Sequence, residues 1–306
     1  MTSLRFFVRP LLVRPLLVRP VCIAALALSF GAGAASAETI LFVGNSFTFG
    51  AGSAAWHYRP DSVDDLNGEG VGGVPAIFKR FTEQAGLNYD VALETGGGRS
   101  LGWHLKERRG KIDRAWDQVV LQEYSTLDAA KPGDATRTIA DTKALATLFR
   151  ARNPKVSIRL TATWSRPDLV YRPGSPWSGR PIGAMAVDLR HAYDRAAKAA
   201  GPVVKDVVPV GQAFTCAIRT GVADGDPYDG ITPGQVDLWT DDHYHASAAG
   251  YYLEALMLFA SITGRDPRTL GANETAAADL GVAPTLAVAL QTVAHRATAT
   301  DGACGR

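Results

Sequence analysis

Thr39-Ile40-Leu41-Phe42-Val43-Gly44-Asn45-Ser46-Phe47-Thr48 is an apolar strand that runs straight into a Gly-Asn-Ser turn. Four consecutive apolar residues with no polar alternation leave the strand no solvent face, the pattern of a parallel sheet covered on both sides. A serine in the turn after such a strand stands at the carboxyl edge of the sheet, where ligands bind, and where a nucleophile can be presented.

The same pattern recurs along the chain. Strands are predicted over residues 89–94, 117–122, 156–163 and 203–210, making five with the first. Between and after them, helices are predicted near 75–85, 101–108, 135–152, 182–200, 246–263 and 274–297. In the first of these Ile77, Phe78 and Phe81 fall at helical spacing, Pro75 suits the first turn and Gly86 a stop. Buried-type strands separated by helices predict an α/β fold with a mostly parallel, five-stranded sheet and right-handed crossovers. Ser46, the Gly96-Gly97-Gly98 run, Gln122 and Trp164 each follow a predicted strand and therefore share one edge.

A second segment, Asp242-His243-Tyr244-His245-Ala246-Ser247-Ala248-Ala249-Gly250-Tyr251, sets an aspartate three residues before a histidine. A serine hydroxyl is a weak nucleophile until a base takes its proton. His245 is the predicted base for Ser46, and Asp242 the residue that holds its other ring nitrogen and stabilises the imidazolium.

Gly44-Asn45-Ser46 at the start, a glycine turn after the second strand, and Asp242-x-x-His245 followed by Ser247 and Gly250-Tyr251 together resemble the SGNH (GDSL-type) hydrolase superfamily, over residues 41–255. The resemblance implies a flavodoxin-like three-layer α/β/α sandwich and hydrolysis of esters among lipids, acylated sugars and related substrates. It also implies an oxyanion hole in which the backbone amides of Ser46 and Gly98 are donors; a glycine lets substrate approach its backbone closely. The chain departs from the family after its third strand, where Leu121-Gln122-Glu123-Tyr124-Ser125-Thr126 lacks the usual Gly-x-Asn. The Gln122 side-chain amide is the expected substitute for that third donor. Asn45, in place of the usual Asp, is expected to hold the turn.

Other chemistries fit less well. Thr48 stands where a Gly-x-Ser-x-Gly elbow needs its last glycine, which argues against the α/β-hydrolase fold. Phe49-Gly50-Ala51-Gly52 lacks the Gly-Lys-Ser/Thr ending of a phosphate-binding loop. Asp241, Asp242, His243 and His245 cluster in sequence, but a hydrolytic metal wants further ligands at defined positions, so no metal and no cofactor are expected. Trp56, Trp103 and Trp164 fall in or beside loops of the active edge and are the expected substrate platforms, suited to an acylated carbohydrate. The reading is thus a secreted serine esterase for short-chain acyl esters. Its alternatives are a catalytically silent carbohydrate-binding relative and a metal-dependent hydrolase.

Residues 1–37 read as a secretory signal. Arg5, Arg9, Arg14 and Arg19 lie in an acid-free lead, an apolar run covers 21–30, and Ala35-Ser36-Ala37 supplies the cleavage pattern, leaving a single domain at 38–306. The run is well short of the roughly 20 residues of a spanning helix. Removing the lead takes four of the 32 basic residues and none of the 30 acidic ones, leaving 28 against 30. No basic run survives to bind nucleic acid or an anionic membrane, so the expected partner is a small-molecule or acylated-carbohydrate substrate in the periplasm or outside the cell. Cys216 and Cys304 remain, either as a disulfide pinning the tail or as two free thiols.

Overall fold

Six strands, all paired in parallel, form the central sheet of the computed structural model, which describes residues 1–8, 11 and 36–304. Most of the expected leader, including its apolar run and Ala35, lies outside the described residues. The strands are β1 (Glu38–Gly44), β2 (Asp64–Asp65), β3 (Tyr89–Thr95), β4 (Gln118–Leu121), β5 (Ser157–Thr161) and β6 (Val204–Val208), in the spatial order β2-β3-β1-β4-β5-β6. Without β2 the order is that of the flavodoxin-like fold, which reverses at β1. The sheet has one strand more than the sequence predicts. Two aspartates carry no apolar signature, and their strand lies at the sheet edge, hydrogen-bonded to β3 alone.

The helices are α1 (Ser46–Phe49), α2 (Gly73–Gln84), α3 (Leu101–Glu107), α4 (Arg109–Ile112), α5 (Thr136–Arg152), α6 (Pro167–Val170), α7 (Gly183–Ala200), α8 (Val210–Arg219), α9 (Ala248–Thr263), α10 (Thr275–Asp279) and α11 (Pro284–Ala299). Side chains alternate across a strand. In β1, Ile40 and Phe42 join the core shared with α2, α8, α9 and α11, while Leu41 and Val43 join the core shared with α3, α5 and α7. The three layers follow directly from that alternation.

Helix α9 buries thirteen of its sixteen residues, so it is enclosed on all sides rather than laid on a surface, and it anchors the segment before it. The short helices α1, α4 and α6 go beyond expectation, as do α8 and the divided tail. Helix α8 was hidden in a stretch that opens with Val210-Gly211, poor helix formers, and the tail is broken into α10 and α11 at Gly281, which takes a positive φ of 74°. Cys216 of α8 and Cys304 are joined as a disulfide, Cα atoms 5.5 Å apart. It closes a loop with a sequence separation of 88 and on chain-entropy grounds is worth about 4.6 kcal/mol. Among the described residues no helix is long and apolar enough to cross a membrane.

Candidate active site

Ser46 is the first residue of α1, and its placement begins with Gly44. A Cβ on Gly44 would stand 2.1 Å from Thr48 Oγ1 and 2.7 Å from Gln122 Oε1, so only glycine lets the strand end so close to the turn it enters. Asn45 caps the helix, its Oδ1 accepting the Phe47 N–H at 3.2 Å. The Ser46 N–H, at the first helical position, has no acceptor within the helix. From the far end of the chain Tyr251 of α9 donates its hydroxyl to the Ser46 carbonyl at 3.2 Å, fixing the turn against the segment that carries His245.

Asp242 and His245 form the pair the sequence predicts. Asp242 Oδ2 accepts from His245 Nδ1 at 2.6 Å, while Oδ1 accepts from the Thr240 hydroxyl at 2.7 Å and from the N–H groups of Tyr244 and His245 at 2.8 Å each. Burial works against the charge, yet the imidazole and the other donors outweigh it and hold the Asp242 carboxyl down at about 2. With the proton on Nδ1, the lone pair of His245 is on Nε2. That nitrogen is buried and has no hydrogen-bond partner, Ser46 Oγ included.

The loop that makes this possible is tightly wound. His243 takes φ +55°, a conformation sparsely populated for a side chain with a Cβ, and the Thr240 N–H bonds back to the His245 carbonyl at 2.9 Å. The Ser247 side chain caps α9 through the Gly250 N–H. Tyr244 packs on the imidazole at 4.1 Å between centroids, and the Arg166 guanidinium lies 3.5 Å from the Tyr244 ring centre. Phe47, next to Ser46, approaches the His245 ring at 5.8 Å and the Tyr244 ring at 5.4 Å, which brings the two distant sequence segments to one place.

Loop 96–100 runs beside the turn that carries Ser46. The Gly96 N–H bonds the Gly44 carbonyl at 3.1 Å, and Asn45 Nδ2 donates to the Arg99 carbonyl at 3.0 Å. Between those anchors Gly98 takes φ +65° with open space where a Cβ would stand. Gln122 does not join it. Its side chain is 1 % exposed, with Oε1 accepting from the Asn45 N–H at 2.9 Å and the Thr48 hydroxyl at 3.0 Å, and Nε2 donating to the Glu123 carbonyl. The expected third oxyanion donor is therefore corrected to a brace: the longer glutamine arm folds back under the turn and spends its amide on backbone.

The three tryptophans separate. Trp164 is fully buried, stacked on Phe47 at 4.2 Å and on Phe214 at 5.0 Å, with Nε1 donating to the Tyr244 carbonyl at 3.2 Å. It supports the turn that carries Ser46 from beneath and is not a platform, which overturns that expectation. Trp56 is 38 % exposed and stacks on His57 at 5.2 Å, beside Phe49 of α1. Trp103 lines a cavity of about 270 Å³ together with Gly98, Tyr124 and Leu127, with the Arg99 and Arg108 guanidinium groups 5.1 and 4.8 Å from its ring centre. A larger hollow of about 730 Å³, lined by α5 and by Leu105, Arg109 and Asp113, shares no residue with this site. Among the described residues no three His, Cys, Asp or Glu side chains are grouped as a metal site. Sequence reasoning missed the cross-links made by Asn45, Glu123 and Tyr251; a charged residue directly after a buried strand was the available signal for Glu123.

No family model and no curated protein matches the sequence. Solved structures do match in fold. A DUF4886 family protein from Bacteroides uniformis is 19 % identical with a TM-score of 0.58, over 87 % of this chain and 96 % of that one. A GDSL-like lipase candidate from Parabacteroides merdae is 20 % identical with a TM-score of 0.51, over 74 % of this chain and 95 % of the other. An acetyl xylan esterase is 14 % identical, also at 0.51, over 73 % and 99 %. Identities this low speak for architecture alone: the three-layer α/β/α sandwich, which this chain shares with the GDSL-like lipase candidate and the acetyl xylan esterase.

Proposed function

We propose that the protein is a serine esterase that cleaves short-chain acyl esters, O-acetyl groups on carbohydrate among them, through an acyl-enzyme. The observation that carries this reading is the Asp242–His245 pair, whose carboxylate accepts four hydrogen bonds and leaves Nε2 unpaired beside the Ser46 turn. Ser46 Oγ attacks the ester carbonyl as His245 Nε2 takes its proton; the same proton then goes to the departing alcohol. Water, deprotonated by His245, releases the acid and restores the serine. The N–H groups of Ser46 and Gly98 hold the oxyanion, each worth roughly 3 kcal/mol when pre-positioned. An acetyl xylan esterase of the same fold supports the acyl-carbohydrate class. Exposed Trp56 and the cavity beside Trp103 are the surfaces for the sugar.

The test is hydrolysis of p-nitrophenyl acetate by the wild type beside Ser46→Ala and His245→Ala. Activity in the wild type alone supports the reading; equal rates in all three end it. A silent carbohydrate-binding relative is the second reading, favoured by one observation: with Gln122 committed to backbone, the hole keeps only backbone donors. Covalent labelling of Ser46 by a fluorophosphonate separates the two, because only an activated serine reacts. Export belongs to the same proposal, with the Cys216–Cys304 disulfide in keeping with an oxidising compartment. Amino-terminal sequencing of protein recovered from periplasm or medium should begin at Glu38.

A further inference from the structure

Three strand exits meet at Glu123, a residue the esterase mechanism does not use. Its side chain is fully buried. Oε1 accepts the N–H of Tyr124 at 2.6 Å and, from 22 residues earlier, the N–H of Leu101 at 3.1 Å, whereas Oε2 is buried without a partner. Its backbone is engaged as well: the carbonyl accepts from Asn45 Nδ2 at 3.3 Å and from Gln122 Nε2, and the N–H donates to the Tyr193 hydroxyl at 3.0 Å.

Leu101 opens α3, where an N–H lacks a helical acceptor, and it is the residue at which loop 96–100 ends. That loop is tied at its start to the Gly44 carbonyl, through Arg99 to Asn45, and at its end to Glu123. Gly98 lies between these ties, free of side-chain packing, and its distance from Ser46 depends on them. A buried carboxylate is costly to desolvate, so its place here needs a return that an apolar residue would not give.

We propose that Glu123 is a positioning residue which holds loop 96–100 so that the Gly98 and Ser46 amides converge on one oxyanion. The proposal rests on the esterase reading of Ser46 and Gly98. The anion is the stronger acceptor for the two N–H groups. Burial pushes the Glu123 carboxyl up to about 7; the Tyr124 and Leu101 N–H groups pull it back, and the negative charges of Asp141 on α5 and Asp128 in the loop after β4 add to the rise. From α7 the group that faces it is the Tyr193 hydroxyl. The loop is therefore held most firmly above pH 7 and loosens as Glu123 is protonated below it, while His245 must also lose its proton to act as base.

Kinetics of p-nitrophenyl acetate hydrolysis for the wild type, Glu123→Ala and Glu123→Gln test this. In Glu123→Ala, kcat should fall roughly 10- to 100-fold with KM moving less than about threefold, the signature of misplaced catalytic groups rather than lost binding. Glu123→Gln keeps an oxygen acceptor and should recover to within about fivefold of wild type. Because the glutamine stands in for the protonated acid, the wild type should show a step of at most about fivefold in log kcat/KM near pH 7, lower on the acid side, and Glu123→Gln should lack it. An unchanged kcat in Glu123→Ala, or the same step retained in Glu123→Gln, overturns the proposal. If Glu123→Ala fails to fold, the presence or absence of the step in Glu123→Gln decides alone. A wild type without esterase activity, or one matched by Ser46→Ala, defeats the esterase reading itself and this proposal with it.

Discussion

Asp242–His245 and Glu94–His104 are the same two functional groups in opposite surroundings. The first pair has side chains 47 % and 17 % exposed; in the second both are at zero. In each, the acid holds Nδ1 and Nε2 is left without a partner. The difference is in who else holds the acid. Asp242 draws its other donors from its own loop, Thr240, Tyr244 and His245. Glu94, at the end of β3, reaches His104 on α3, Asn67 in the loop after β2 at 3.4 Å, and the Arg108 guanidinium at 3.6 Å. Donors from one loop fix an imidazole within that loop, whereas donors from separate elements make a cross-link. A histidine–carboxylate contact alone thus says little about catalysis; the origin of the remaining ties separates a base from a clamp.

The comparison is broken most decisively by deleting each imidazole. His245→Ala should lower kcat for p-nitrophenyl acetate by about 10⁴-fold or more, as losing a triad member does, with a loss of only about 1 kcal/mol in stability because Asp242 keeps its donors from Thr240, Tyr244 and the backbone of residue 245. His104→Ala should do the reverse. It leaves Glu94 buried with weak partners, and removing one member of a buried pair costs about 3 to 5 kcal/mol. For a chain of this length that is a melting temperature lower by about 10 °C, read by calorimetry, while kcat of the folded protein falls less than about tenfold. If His104→Ala abolished activity in a protein that melts normally, the buried pair would be catalytic and the assignment reversed.

Much of this was legible because buried parallel strands have no polar alternation to confuse. All five predicted strands exist, and the edge shared by Ser46, Gly98 and the β4 exit follows from them alone. The Asp242-x-x-His245 spacing was readable because both partners lie within one loop. Direction was not readable. Gln122 stands at the predicted edge but turns its amide under the turn, and Trp164 follows β5 but turns into the core, because each choice depends on neighbours tens of residues away. His104 lies within the helix predicted near residues 101–108, and its burial against Glu94 could be seen only once β3 and α3 were packed. Asp64 and Asp65 escaped for the opposite reason: an edge strand of two acids leaves no pattern to detect.

The smallest expected effect probes the exposed pair directly. The Asp242 carboxyl sits at about 2 rather than its ordinary 3.8, despite partial burial, because His245, Thr240 and Tyr244 donate to it. A depressed value means the ionised form is favoured by the fold. Its contribution is present in full above about pH 4 and is lost as pH falls through about 2. Acidification from neutrality to pH 4 therefore leaves Asp242 charged and still paired, and any loss of activity in that range belongs to other groups. Carbon-13 NMR of the labelled side chain should show a midpoint near 2, and Thr240→Ala, which removes one local donor, should move it upward while lowering kcat/KM less than about fivefold. A midpoint at the ordinary value would mean that Asp242 is held no better than a free surface aspartate, and the contrast with the clamped Glu94 would lose its exposed half.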